Sequence, residues 1–149
     1  MKFVLIIPAR FNSSRLKGKP LIKIKGIPMI LRTYNQCAKV VKPKLIHVAT
    51  DDQRIKNLCL KNKINVILIS KKCLTGTDRV YEASKKIKAK TYINVQGDEP
   101  IFNPQDLKKV VKEIKKYPNE IITGYTEIID KNSFKNKNIP KVVVSENGY

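Results

Sequence analysis

Short unbroken apolar runs alternate along this chain with segments whose apolar residues recur every three or four positions. "FVLII" (Phe3 to Ile7) is continuous hydrophobe up to Pro8, the pattern of a strand buried on both faces. After a polar, basic stretch, "PMILRTYNQCAKVV" sets Met29, Ile30, Tyr34, Cys37, Ala38 and Val41 along one helical stripe. Pro28 stands at its start, where a missing N–H costs nothing. "KLIHVAT" predicts a second strand, "QRIKNLCLKNK" a second helix and "NVILIS" (Asn65 to Ser70) a third strand. "DRVYEASKKIK" predicts a third helix capped by Thr77 or Asp78, and "TYINV" a fourth strand. "PQDLKKVVKEIKKY" predicts a fourth helix, with Asn103 as its cap and Pro104 at its first position. Two further strands, "EIITGYTEI" and "KVVVS", are expected on either side of the polar loop "DKNSFKNKNIP". This late section is read as pairing antiparallel or forming a flap.

Strand and helix alternating at this spacing predict an α/β fold with a mainly parallel sheet. The 149 residues suit one domain, with no internal repeat and no low-complexity linker. "SENGY" closes the sequence on an Asn147-Gly148 turn, a hairpin signal followed only by Tyr149. A C-terminal part is therefore expected to be missing, leaving residues 1–149 as a single truncated domain.

Composition narrows the function classes. With 42% hydrophobic and 29% charged residues the chain is globular in character. The opening "KFVLII" is too short to span a bilayer and lacks a small-residue cleavage site, so a cytoplasmic protein without membrane insertion is expected. Cys37, Cys59 and Cys73 show no CxxC spacing and are read as reduced thiols, not metal ligands. His47, the one histidine, lies in a strand and is assigned no role. The net charge of +19 invites a nucleic-acid reading, but 26 of the 31 basic residues are lysines scattered over nearly every helix face. Aromatics are only 7% and dispersed, so no stacking platform is expected and nucleic-acid binding is set aside. The five arginines say more. Arg10, Arg15 and Arg79 fall in loops at strand ends, where a planar fork suits bidentate phosphate contacts.

In parallel α/β sheets ligands bind beyond the carboxyl ends of the strands. Here those ends carry "PARFNSSRLKGK", "TDD", "TGTDR" and "QGDEP". The first is neither a P-loop nor a dinucleotide fingerprint, since G-x-x-x-x-G-K-[ST] and G-x-G-x-x-G are both absent. Its backbone N–H groups, Ser13, Ser14 and basic side chains suit a polyphosphate. Asp98 and Glu99 just past a strand suit Mg²⁺, which takes carboxylate oxygens and keeps substrate phosphates in its shell. "TGTDR" adds a glycine for close backbone approach, threonine hydroxyls and Arg79. A basic phosphate loop with a strand-end aspartate is the minimum kit for nucleotidyl transfer.

"IPARFNSSRLKGKPL", "ATDD", "TGTDR" and "VQGDEP", in this order and at these distances, resemble the 3-deoxy-manno-octulosonate (Kdo) cytidylyltransferases. "KVVVSENGY" is similar to a later strand and turn of that family. The resemblance implies a nucleotide-diphospho-sugar-transferase-like fold, Rossmann-like and three-layered, and a homodimer. It implies transfer of CMP from CTP to Kdo, giving CMP-Kdo and pyrophosphate for lipopolysaccharide synthesis, with Mg²⁺ as cofactor. Arg10, Arg15 and Lys19 would hold the CTP phosphates, and Arg10, Lys19 and Asp98 would serve catalysis. Pro8 and Ala9, with Thr75 and Gly76, would recognise cytosine, and Arg79 would stand beside that pocket. Asp98 would bind the metal and Gln96 the sugar acid. An inactive CTP-binding fragment and an enzyme for a related sugar acid are the alternatives.

Overall fold

A computed structural model describes residues 3–12, 16–69 and 73–146. The chain starts with β1 (Phe3–Ala9), whose side chains alternate between two buried surfaces. A 3₁₀ turn at Lys19–Leu21 then leads into a small hairpin of β2 (Lys23–Ile24) and β3 (Ile27–Pro28). Lys25 and Gly26 both take positive φ, +46° and +79°, as a two-residue turn of type I′ demands. The order then runs α1 (Met29–Ala38), β4 (Ile46–Thr50), α2 (Gln53–Lys61), β5 (Asn65–Leu68), α3 (Gly76–Ser84), β6 (Thr91–Asn94), α4 (Pro104–Lys116) and α5 (Lys131–Lys135).

Four strands form one parallel sheet in the order β5-β4-β1-β6. Because β1 is central, both its faces must be covered, and this is why its sequence is unbroken hydrophobe. Leu5, Ile7 and Ala9 join Ile30, Cys37, Ile55, Cys59 and Leu107 in a core beneath α1, α2 and α4. Val4 and Ile6 join Val80 and Ala83 of α3 on the opposite face. The result is the expected three-layer α/β arrangement. Burial raises the Cys37 and Cys59 thiols to about 12, so both stay protonated as small core hydrophobes.

Two boundaries and two expected strands differ from the sequence reading. β1 continues through Pro8 to Ala9, since β6 pairs only as far as Ile6 and leaves β1 a one-sided edge that tolerates proline. α3 starts at Gly76, capped by Thr75 and not by Thr77 or Asp78. The Thr75 hydroxyl accepts from the Asp78 N–H (3.0 Å), and the Asp78 carboxylate accepts from the Thr75 N–H (2.8 Å). "EIITGYTEI" and "KVVVS" form no strand among the described residues. Ile121, Ile129 and Val143 are almost fully exposed there, because β propensity is realised only against a neighbouring strand and nothing here supplies one. The expected Asn147-Gly148 turn and the Ser70 end of the third strand lie outside the described residues.

Two measurements test this fold. Ile7→Ala, in a site with no exposure, is expected to cost about 2–5 kcal/mol in urea unfolding. The Asp78 carboxyl is held below its ordinary value, first by the Thr75 backbone N–H. Its contribution to stability is therefore present above about pH 4 and lost as pH falls through the lowered value. Asp78→Asn should flatten that part of the acid-unfolding curve, followed by circular dichroism.

Candidate functional site

All four strands of the sheet run the same way, so their carboxyl ends open onto one edge. A cavity of about 490 Å³ lies there. Pro8 and Ala9, the last residues of β1, line it together with Gly97 from the turn after β6. A side chain at position 97 would bring a Cβ to 2.6 Å from the Pro8 carbonyl oxygen, so only glycine lets this turn lie against the strand end. The buried Thr33 hydroxyl of α1 donates to the Gly97 carbonyl (3.1 Å) and pins the turn from below.

Thr75, Gly76 and Arg79, from the capped start of α3, also line the cavity. A Cβ at Gly76 would lie 2.7 Å from Gln96 Oε1, so the helix start and the turn after β6 meet closely. Arg79 is only 2% exposed and donates from Nη2 to Asp51 Oδ2 (3.2 Å), while its Nη1 is buried with no hydrogen-bond partner among the described residues. A buried cation is tolerated only with such a counter-charge, and Asp51 stands one residue past β4 to give it.

Lys19, Leu16 and Pro20 line the cavity from the segment after β1. The Lys19 ammonium donates to Asp98 Oδ2 at 2.5 Å, with both side chains partly solvated. Arg10, exposed, reaches from the end of β1 to the Leu74 carbonyl (3.2 Å). Nine of the ten residues expected at the site thus share one cavity: Pro8, Ala9, Arg10, Lys19, Thr75, Gly76, Arg79, Gln96 and Asp98. The tenth, Arg15, lies outside the described residues, as do Ser13 and Ser14.

Whether Mg²⁺ suits these residues can be judged from the donor set. Among the described residues no group of three or more His, Cys, Asp or Glu could hold a metal ion. Asp98 stands alone at the cavity wall, with Glu99 beside it in sequence. The Glu99 carboxyl is raised above its ordinary value, first by desolvation and then by the Asp98 charge. One carboxylate fits a cation that brings most of its shell as water and substrate phosphate, which is how Mg²⁺ is usually held. It does not fit a cation caged by the protein alone.

Sequence reasoning left out Leu16, Pro20 and Gly97 as lining residues, and Asp51 as the partner of Arg79. Gly97 was legible as the glycine of "QGDEP", but its contact with Pro8 crosses two strands. Asp51 was visible only as part of a polar strand end, because the charge it faces lies 28 residues further along.

Comparison with known proteins places the chain among cytidylyltransferases. A 3-deoxy-manno-octulosonate cytidylyltransferase of Wigglesworthia glossinidia brevipalpis is 41% identical over 152 residues, covering 100% of this chain and 62% of its own. The mitochondrial 3-deoxy-manno-octulosonate cytidylyltransferase of Arabidopsis thaliana is 38% identical, covering 99% of this chain and 52% of its own. A solved structure of CMP:2-keto-3-deoxy-manno-octonic acid synthetase complexed with CTP superposes with a TM-score of 0.75 at 39% identity, over 80% of this chain and 49% of that one. The chain thus spans about half to three-fifths of these relatives. Residues 4–149 match the sequence family described as cytidylyltransferase, and the chain belongs to that family.

Proposed function

We propose that this chain forms the nucleotide-binding part of an enzyme that transfers CMP from CTP to 3-deoxy-manno-octulosonate, releasing pyrophosphate. The observation that carries this reading is the meeting of Lys19 and Asp98 at 2.5 Å across a cavity built from the strand ends. A phosphate-binding cation and a metal-binding carboxylate on the wall of one cavity lie near enough to act on one triphosphate. Relatives that are 3-deoxy-manno-octulosonate cytidylyltransferases, and the CTP in the solved structure of a similar synthetase, support the same substrates.

In this reading Arg10 and Lys19 neutralise the triphosphate tail and hold pyrophosphate as it leaves. The base lies toward Pro8, Ala9, Thr75 and Gly76, whose backbone groups read its edge, with Arg79 alongside. Gln96 faces the sugar acid, whose anomeric hydroxyl attacks the α-phosphorus in line. Asp98 is the protein ligand of Mg²⁺, which when bound offsets phosphate charge and polarises the phosphoryl oxygens. The chain's own contribution is positioning and fixed charge, which supply most of the acceleration in phosphoryl and nucleotidyl transfer.

Isothermal titration with CTP tests the reading. Lys19→Gln is expected to weaken CTP binding at least about ten-fold, the usual worth of a charge-assisted contact. Asp98→Asn should remove the Mg²⁺-dependent part of the affinity and leave metal-free binding in place. An Asp98→Asn protein that keeps the full Mg²⁺ effect would refute the metal role. A second titration, CTP against duplex DNA at rising salt, addresses the +19 charge. CTP binding should persist while any DNA association collapses steeply through counterion release.

A further inference from the structure

The cavity wall carrying Lys19 is anchored from outside the cavity. Gly18, just before Lys19, donates its N–H to the Phe11 carbonyl at 2.8 Å, closing the basic segment on itself. Gly18 has φ +72°, and a Cβ there would sit 3.0 Å from the Phe11 ring, so the ring and the turn are in direct contact. Phe11 in turn is held by the residues following β4. Its N–H donates weakly to Asp51 Oδ1 (3.5 Å), and the Arg54 guanidinium carbon lies 3.3 Å from its ring centroid.

Arg54 is fixed there by Asp52. Its Nε and Nη2 donate to the two Asp52 oxygens at 3.0 and 2.6 Å, a bidentate grip. Asp52 also caps α2 by accepting from the Arg54 N–H (2.9 Å), and the Arg54 side-chain bond is the main cause holding its carboxyl below the ordinary range. A cap alone needs only the backbone contact. The bidentate grip does something more: it holds the guanidinium over the Phe11 ring although the Arg54 side chain is 60% exposed, where an arginine would otherwise sample many rotamers. Neither Asp52, Arg54 nor Phe11 lines the cavity.

We propose that Arg54 is a positioning residue for triphosphate binding, acting through Phe11 and Gly18 on Lys19, with Asp52 holding it in place. The inference rests on the nucleotide reading of the Lys19 segment. It makes the "DDQR" sequence after β4 a remote support for that segment, beyond its role in starting a helix.

The test compares CTP and CMP binding by calorimetry in the 149-residue chain and three variants. Arg54→Ala should weaken CTP binding about two- to five-fold, the range an exposed guanidinium–ring contact supports. CMP, which lacks the two outer phosphates, should lose less, and the thermal midpoint should stay unchanged. Phe11→Leu, keeping apolar bulk without a π face, should behave like Arg54→Ala. Arg54→Lys, keeping the charge without the fork, should fall between. An Arg54→Ala protein that binds CTP as tightly as the unaltered chain would overturn the clamp. So would equal loss of CTP and CMP affinity with a lowered midpoint, which assigns Arg54 to folding alone. If the unaltered chain binds no CTP, the nucleotide reading itself fails and the clamp with it.

Discussion

Everything at the functional edge depends on β1 being the inner strand of an all-parallel sheet. Parallel pairing on both sides forces its neighbours to deliver their carboxyl ends to the same edge, and it forces apolar side chains onto both faces. Helices must therefore cover both faces, and each crossover ends where the next strand begins. The loops gain proximity to one another without any contact energy of their own. This is how "PARFNSSRLKGK", "TGTDR" and "QGDEP" come to border one cavity from positions some 90 residues apart.

Within that cavity two ion pairs differ in kind. Arg79 is buried, at 2% side-chain exposure, and Asp51 is largely so at 11%, and Arg79 cannot lose this partner without stranding a charge at the edge of the core. Lys19 and Asp98, at 32% and 48%, are half-solvated, and the energy binding them together is small enough for a ligand to displace. A fixed pair thus braces the wall while a labile pair faces the substrate. Glycines govern the approach: Gly97 allows the turn after β6 to touch β1, and Gly76 allows α3 to begin against Gln96.

The remaining charge tells less. Lysines spread over α4 and the outer helix faces keep the surface solvated, and the two cavity-lining basic residues with carboxylate partners among the described residues, Lys19 and Arg79, are distinguished by geometry and not by number. The section from 121 to 146 is another contrast. Most of its β-prone residues stay exposed, and only α5, capped by the Asp130 carboxylate on the Ser133 N–H (2.8 Å), takes regular form there.

The sequence by itself determined the α/β alternation, the central strand, the cap of α4 at Asn103 and the four polar strand ends, because each is written in local periodicity or in residue types next to one another. Its strand-end motifs also pointed to nine cavity residues, through their resemblance to a known family, and strand ends converge in any parallel sheet. Tertiary structure alone decided what touches what. That Asp51 neutralises Arg79, that Arg54 lies on Phe11, and that Lys19 meets Asp98 are contacts between residues 28, 43 and 79 positions apart. Local pattern carries no record of such distances. The late apolar segments failed as strands for the same reason: their composition favours a ladder, but a ladder needs a second strand, and only the folded arrangement says whether one is there.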